Sequence, residues 1–219
     1  MESDPNYICS KELQKTLYGN HARRQITSGA QIEALNIPTL KAVHSKLYSY
    51  ADDFRFIIAG NVDLKTLKPL VEKYIGSLPT SKSVEYAVVD DGVRYAGNIT
   101  NEFRTKMEQP KVSVRLIYTG AMEDNAKNRL IVDLLSRALD SRYMVSIREE
   151  KGGTYGVSVQ GAVDEYPTEN YFVAIVFDTN DQLADELVEI CDKEIRKIAE
   201  EGPLADDVAK AKEFLQKNY

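Results

Sequence analysis

The feature that most constrains this chain is the glycine pair Gly152-Gly153, which separates a long stretch of helical periodicity from two alternating segments. Upstream, residues 126–150 carry Ile131, Leu134, Leu135, Ala138 and Leu139 at helical spacing, with a break expected at Asp140-Ser141. Glycine ends helices because it accepts backbone conformations that other residues resist. Downstream, 154–163 and 170–179 read as strands, and the polar stretch 164–169 between them reads as a hairpin turn.

The neighbouring segments extend the same pattern. Residues 111–121 alternate through Val112, Val114, Leu116 and Tyr118, which predicts a strand. Residues 182–201 predict an amphipathic helix with Leu183, Leu187, Ile190, Cys191, Ile195 and Ile198 on its buried side. Gly202-Pro203 stops it, and 204–219 begins another helix. The first third is also mixed. Residues 9–18 are helical in spacing, and Pro38 opens a helix whose buried stripe is expected at Leu40, Val43, Leu47 and Tyr48. The apolar run 54–60 reads as a strand, and Asp63 supplies a capping carboxylate for a helix over 64–75. Pro69 inside that helix predicts a kink or two short helices. Between 80 and 110 the periodicity fades into a linker, where 84–89 could add a strand. The class is α+β, with helices packed against a mostly antiparallel sheet.

Composition removes several functions. A net charge of −6 over 219 residues argues against a sequence-independent grip on nucleic acid, which needs clustered Lys and Arg. No run approaches the roughly 20 apolar residues of a membrane span. The first residues lack the basic and apolar regions of a secretion signal, but a signal could sit on a preceding segment, so the compartment stays open between bacterial cytoplasm and periplasm. Cys9 and Cys191 form neither a disulfide framework nor a metal knuckle, and both are expected as buried free thiols.

Ser141-Arg142, followed by Ile147-Arg148-Glu149-Glu150-Lys151-Gly152-Gly153-Thr154-Tyr155, resembles the signature of the C-terminal half-domains of pitrilysin-type (insulysin-like) zinc peptidases. Tyr143 departs from it, where a leucine is usual. The earlier block from Phe56-Ile57-Ile58-Ala59-Gly60-Asn61 to Gly76-Ser77-Leu78-Pro79 is similar to a second block of the same family, in the right order. The resemblance covers nearly the whole chain. It implies a fold of the mitochondrial-processing-peptidase and LuxS type. It also implies a segment of a longer polypeptide: residues 1–79 close one domain, 80–110 link, and 111–219 open the next homologous domain.

The signature makes physical sense by itself. Arg148 falls in the last turn of a helix and Tyr155 at the start of the returning strand, with Gly152 and Gly153 as the hinge between them. A guanidinium and a phenol offer donors that can converge on a carbonyl oxygen. By residue type alone, an arginine paired with Glu149 or Glu150 and a tyrosine packed on a sheet is the favoured reading, and only the whole signature turns it towards a substrate contact. The resemblance implies that Arg148 and Tyr155 line the substrate cleft and bind peptide backbone.

Catalytic zinc in this family needs H-x-x-E-H on one helix and a further glutamate. This chain has two histidines, His21 and His44, 23 residues apart and outside any such motif. His21 is expected to cap or decorate a loop, and His44 to pack beside a helix stripe. No catalytic residue and no metal ligand is therefore expected in this segment. The resemblance implies Zn2+ in a catalytic half, on the same polypeptide or on a partner subunit, and unstructured peptides as substrates. A non-catalytic structural subunit of the same family is the alternative.

Overall fold

The computed structural model describes residues 3–52, 54–81, 98–149, 154 and 156–218, the side chains of 148, 149 and 218 excepted. They fall into two compact units, one holding the described residues up to 105 and the other those from 106 onward. Each is considered separately.

In the first unit, helix α1 spans Pro5–Tyr18 and starts earlier than its apolar spacing suggests. Asp4 sets that start: its carboxylate accepts the amides of Asn6 at 2.8 Å and Tyr7 at 3.2 Å, and Pro5 supplies a fixed φ in the first turn. Gly19, at φ 60°, ends the helix in a conformation that a side chain would resist. A short helix α2, Gly29–Glu33, was not anticipated. It begins at a capping box in which Ser28 and Gln31 exchange side-chain and backbone hydrogen bonds. Helix α3, Ile37–Tyr48, is capped by Asn36 and opens at Pro38, as its sequence suggests.

Three expectations for this unit need correction. Leu40, Val43, Leu47 and Tyr48 do share a stripe on α3, but each is about half exposed, because no sheet among the unit's described residues receives them. The run 54–60 joins no ladder there either. A strand is held by bonds to a neighbouring strand, and with none beside it Ile57 stays 84% exposed. Phe54 packs on α3 instead, meeting Tyr48 at 5.9 Å between ring centres, and Phe56 in turn meets Phe54 at 6.1 Å. Helix α4, Leu64–Tyr74, runs unbroken through Pro69. The proline removes one hydrogen bond, to the carbonyl of Lys65, in a helix whose first turn is exposed and capped by Asp63. The strand considered at 84–89 lies outside the described residues.

The second unit is built on one sheet of three described strands. Strand β1, Val112–Ala121, pairs antiparallel with β3, Asn170–Thr179, which pairs antiparallel with β2, Val157–Asp164. The register places Val114, Leu116 and Tyr118 opposite Phe177, Ile175 and Val173, and Val157 and Val159 opposite Phe177 and Ile175. By the two-residue period of strands these side chains share one face. That face packs on helix α5, Ala126–Tyr143, and on helix α6, Ala184–Glu201, through Val132, Leu139, Tyr143, Leu187 and Cys191. Helix α7, Ala205–Asn218, lies against α5, where the Arg137 guanidinium sits 3.8 Å from the centre of the Phe214 ring. The α+β architecture with an antiparallel sheet is as the sequence suggests.

Helix α5 differs from its expected form in two ways. Its buried face runs through Val132, Ser136, Leu139, Arg142 and Tyr143, while Ile131 is 45% exposed. Ala138 and Leu139 of the expected stripe are buried, and two polar residues, Ser136 and Arg142, widen the buried face. The helix also passes Asp140-Ser141 without a break and widens after Tyr143 into a π-helical turn, Met144–Glu149. Ser146 helps to hold that turn by donating to the Arg142 carbonyl at 3.0 Å.

Candidate functional site

Arg148 lies in the π-helical turn, so its backbone follows directly from the buried end of α5. Its side chain, and Gly152, Gly153 and Tyr155 entirely, lie outside the described residues. The structure does define the frame from which this segment departs and to which it returns.

On the departing side the frame is anchored in the core. Tyr143 and Ile147, four residues apart, are fully buried, and the Tyr143 hydroxyl donates to the Cys191 carbonyl at 3.0 Å. Burial pushes the Tyr143 phenol well above its ordinary range, so it stays a protonated donor at any physiological pH. On the returning side, the Thr154 hydroxyl accepts the Gly156 amide at 3.3 Å, and Val157 is buried at the start of β2. Between the two sides, the Asp140 carboxylate accepts the backbone amide of Val159 at 3.0 Å. Helix and strand approach closely just beyond: a Cβ on Gly161 would collide with Ser136 Oγ and stand 2.8 Å from Val132 Cγ1. Only glycine allows that approach.

Arg142 fastens the helices behind this frame. Its guanidinium donates to Glu194 of α6 at 2.8 Å and to Asp207 of α7 at 3.1 Å, with its side chain 7% exposed. Burial works against the charge, but the two carboxylates outweigh it and hold the guanidinium above its ordinary range. A second polar contact ties the sheet to α6: the Tyr118 hydroxyl donates to Asp192 at 3.0 Å, and burial together with that carboxylate raises the phenol. These groups hold the architecture together, and none of them is a nucleophile or base open to a substrate.

Sequence reasoning missed two of these residues. By its local sequence Asp140 reads as part of a helix break, and Arg142 as part of a motif with no contact of its own. The spacing Leu135, Leu139, Arg142 already places the arginine on the apolar face, where a charge calls for buried partners.

His21 Nδ1 accepts the Arg23 amide at 3.4 Å in a loop, and the exposed His44 packs on Tyr48 at 5.1 Å. Among the described residues no three His, Cys, Asp or Glu side chains gather as a metal site. The chain's residues do not fit catalytic zinc, because they lack H-x-x-E-H. Cys191 is fully buried as expected and Cys9 only half-buried; both thiols are free.

Comparison with known proteins gives the frame its family. The model of the peptidase M16 inactive domain matches residues 34–215, so the chain belongs to the M16 peptidase family, as a domain of its inactive type. The zinc protease PQQL-like of Arabidopsis thaliana is 23% identical over the whole of this chain and 24% of its own length. The probable zinc protease PqqL of Escherichia coli K12 is 27% identical over 75% of this chain and 18% of its own. The chain thus spans about a quarter or less of these curated relatives. Its fold is that of the periplasmic protease PqqL from E. coli, with a TM-score of 0.84 and 22% identity over 99% of this chain and 24% of that one. An M16 inactive domain from Pseudomonas fluorescens gives 0.70 with 19% identity, covering 99% of this chain and 52% of that one. A mutant of the ferredoxin protease FusC in complex with Arabidopsis ferredoxin gives 0.69 with 16% identity, covering 98% and 23%.

Proposed function

We infer that this chain is the substrate-binding, non-catalytic region of a zinc metallopeptidase acting on unstructured peptides. The observation that carries this reading is the inactive-domain match across residues 34–215, in a chain whose curated relatives bear zinc-protease names. The zinc and its H-x-x-E-H belong to a different half, on the same polypeptide or on a partner subunit. Residues 1–79 close one domain of the family, 80–110 link, and 111–219 open the next.

Arg148 and Tyr155 are the substrate contacts in this reading. Arg148 leaves a buried helix through the π-helical turn, and π-turns in helices recur at functional sites. Its guanidinium and the Tyr155 phenol donate to a peptide carbonyl of the substrate, with Gly152 and Gly153 as the hinge between them. The complex of the ferredoxin protease FusC with ferredoxin supports a polypeptide as the kind of ligand.

The test is Arg148→Ala in a protein that carries both this region and the zinc half. Turnover of an unstructured peptide should fall about a hundredfold, the scale for removing one charge-stabilising donor, while bound zinc is unchanged. Undiminished turnover would favour a purely structural subunit.

A further inference from the structure

Not one described side chain of the first unit is buried, although its elements carry Leu40, Val43, Leu47, Phe56, Ile58 and Leu70. We propose that α3 and the run 54–60 form an intramolecular docking face. Its occupant is an antiparallel sheet from the part of the same polypeptide that precedes Met1, and the run joins that sheet as a strand. This docking rests on the reading that residues 1–79 close a domain begun elsewhere, and adds the surface and what covers it.

The run already has the form of a strand. Phe54 packs on Tyr48 and Phe56 on Phe54, which puts alternate side chains on the side of α3 and leaves Ile57 on the other. Residues 55–60 make no backbone hydrogen bond to another described residue, so among these residues both edges of the run are open to a neighbouring strand. Widths explain why α3 is left half exposed. A helix is about 10 Å across and strands lie about 4.8 Å apart, so one strand covers only part of a helix stripe. In the second unit three strands lie under α5 and α6, and Val132, Leu139 and Leu187 are buried there. A sheet extended sideways from the run would cover Leu40, Val43 and Leu47 in the same way. The family has the length for it: the match takes up 52% of the Pseudomonas fluorescens inactive domain, which leaves nearly as much chain again outside it. A second copy of this chain is the poorer occupant. It would bring another lone strand, or the second unit's sheet, whose packed face α5 and α6 already cover.

The experiment compares the complete natural polypeptide with the 219-residue chain, and each with its Val43→Asp variant. Hydrogen exchange is followed at the amides of 55–60, and sedimentation gives the oligomeric state. In the complete polypeptide these amides should exchange at least about a hundredfold more slowly than in the 219-residue chain, because a ladder amide exchanges only when the ladder opens. Val43→Asp puts a charge under the sheet and should abolish that slowing, while exchange over 170–179 stays unchanged in both chains. Equal exchange in the two unsubstituted chains overturns the docking. So does slow exchange that appears in the 219-residue chain as it dimerises, which would make a second copy the occupant. A natural polypeptide with no strand-forming segment before Met1 overturns it as well. The domain division is read separately, by limited proteolysis within 80–110. Cleavage there with freely exchanging 55–60 amides ends the docking and leaves the division standing; slow exchange without cleavage ends the division alone.

Discussion

Arg142 and Asp207 meet at 3.1 Å with both side chains more than nine-tenths withdrawn from water, 65 residues apart in sequence. With Glu194 they join α5, α6 and α7 at one point. Removing one member of such a group leaves charges buried without compensation. Arg142→Met should therefore destabilise the second unit by about 3–5 kcal/mol, read as a lower urea midpoint. The double variant Arg142→Met/Asp207→Leu should recover a large part of that loss. Equal loss in the single and double variants would show that packing, not charge, governs the site.

Gly161 tests the approach of helix to strand. A methyl group there meets Ser136 Oγ and Val132 Cγ1 well inside van der Waals contact, so Gly161→Ala should cost about 1–3 kcal/mol. Adding Ser136→Ala removes the nearer obstacle and should return part of it. Thermal unfolding of the three variants gives the comparison.

The two thiols should differ sharply. Burial, with the Asp192 charge beside it, pushes the Cys191 thiol up to about 12, so almost none is thiolate at neutral pH. Cys9, half-buried on α1, has access to solvent. In the native chain an aromatic disulfide reagent should titrate Cys9 alone, and Cys191 only on unfolding. Rapid modification of both without denaturant would contradict the buried environment of Cys191.

Asp178 provides a pH dependence with a definite sign. Burial pulls its carboxyl upward, but hydrogen bonds from Lys111 at 2.6 Å and Ser113 at 2.6 Å outweigh that and hold it below its ordinary value of 3.8. A group with a depressed folded value contributes stability above its unfolded value and loses it as pH falls through the folded one. The melting temperature should thus fall below about pH 4, and Asp178→Asn should make that acid limb shallower. The effect will be small, since the Asp178 side chain is half exposed to screening solvent. An identical acid limb in both proteins would remove Asp178 from the account.

The second unit was readable in the sequence almost element by element, because its alternation and helical spacing coincide with the faces that are buried. Strand β1 was placed to within one residue and β3 to the residue for this reason. The failures have a common cause. The run 54–60 has the composition of a strand, but composition cannot supply a neighbouring strand, and among the described residues no sheet covers the α3 stripe either. In α5 the apolar stripe holds at Leu135, Ala138 and Leu139 and fails at Ile131, while Ser136 and Arg142 join the buried face by satisfying their polar groups internally. The proposed site was legible as a motif, and its frame was not. Asp140 and Val159 are joined by a tertiary contact that no local periodicity encodes.

The widened turn at Met144–Glu149 has an arithmetic consequence. Each residue of an α-helix rotates the chain by about 100°, and a π turn accommodates one residue more than an α turn. Deleting a single residue here could relax the turn to ordinary helix while Tyr143 kept its place in the core. The backbone would then leave for Arg148 on a different bearing. A one-codon change at this point can thus redirect the backbone beyond it and spare the packed scaffold behind it.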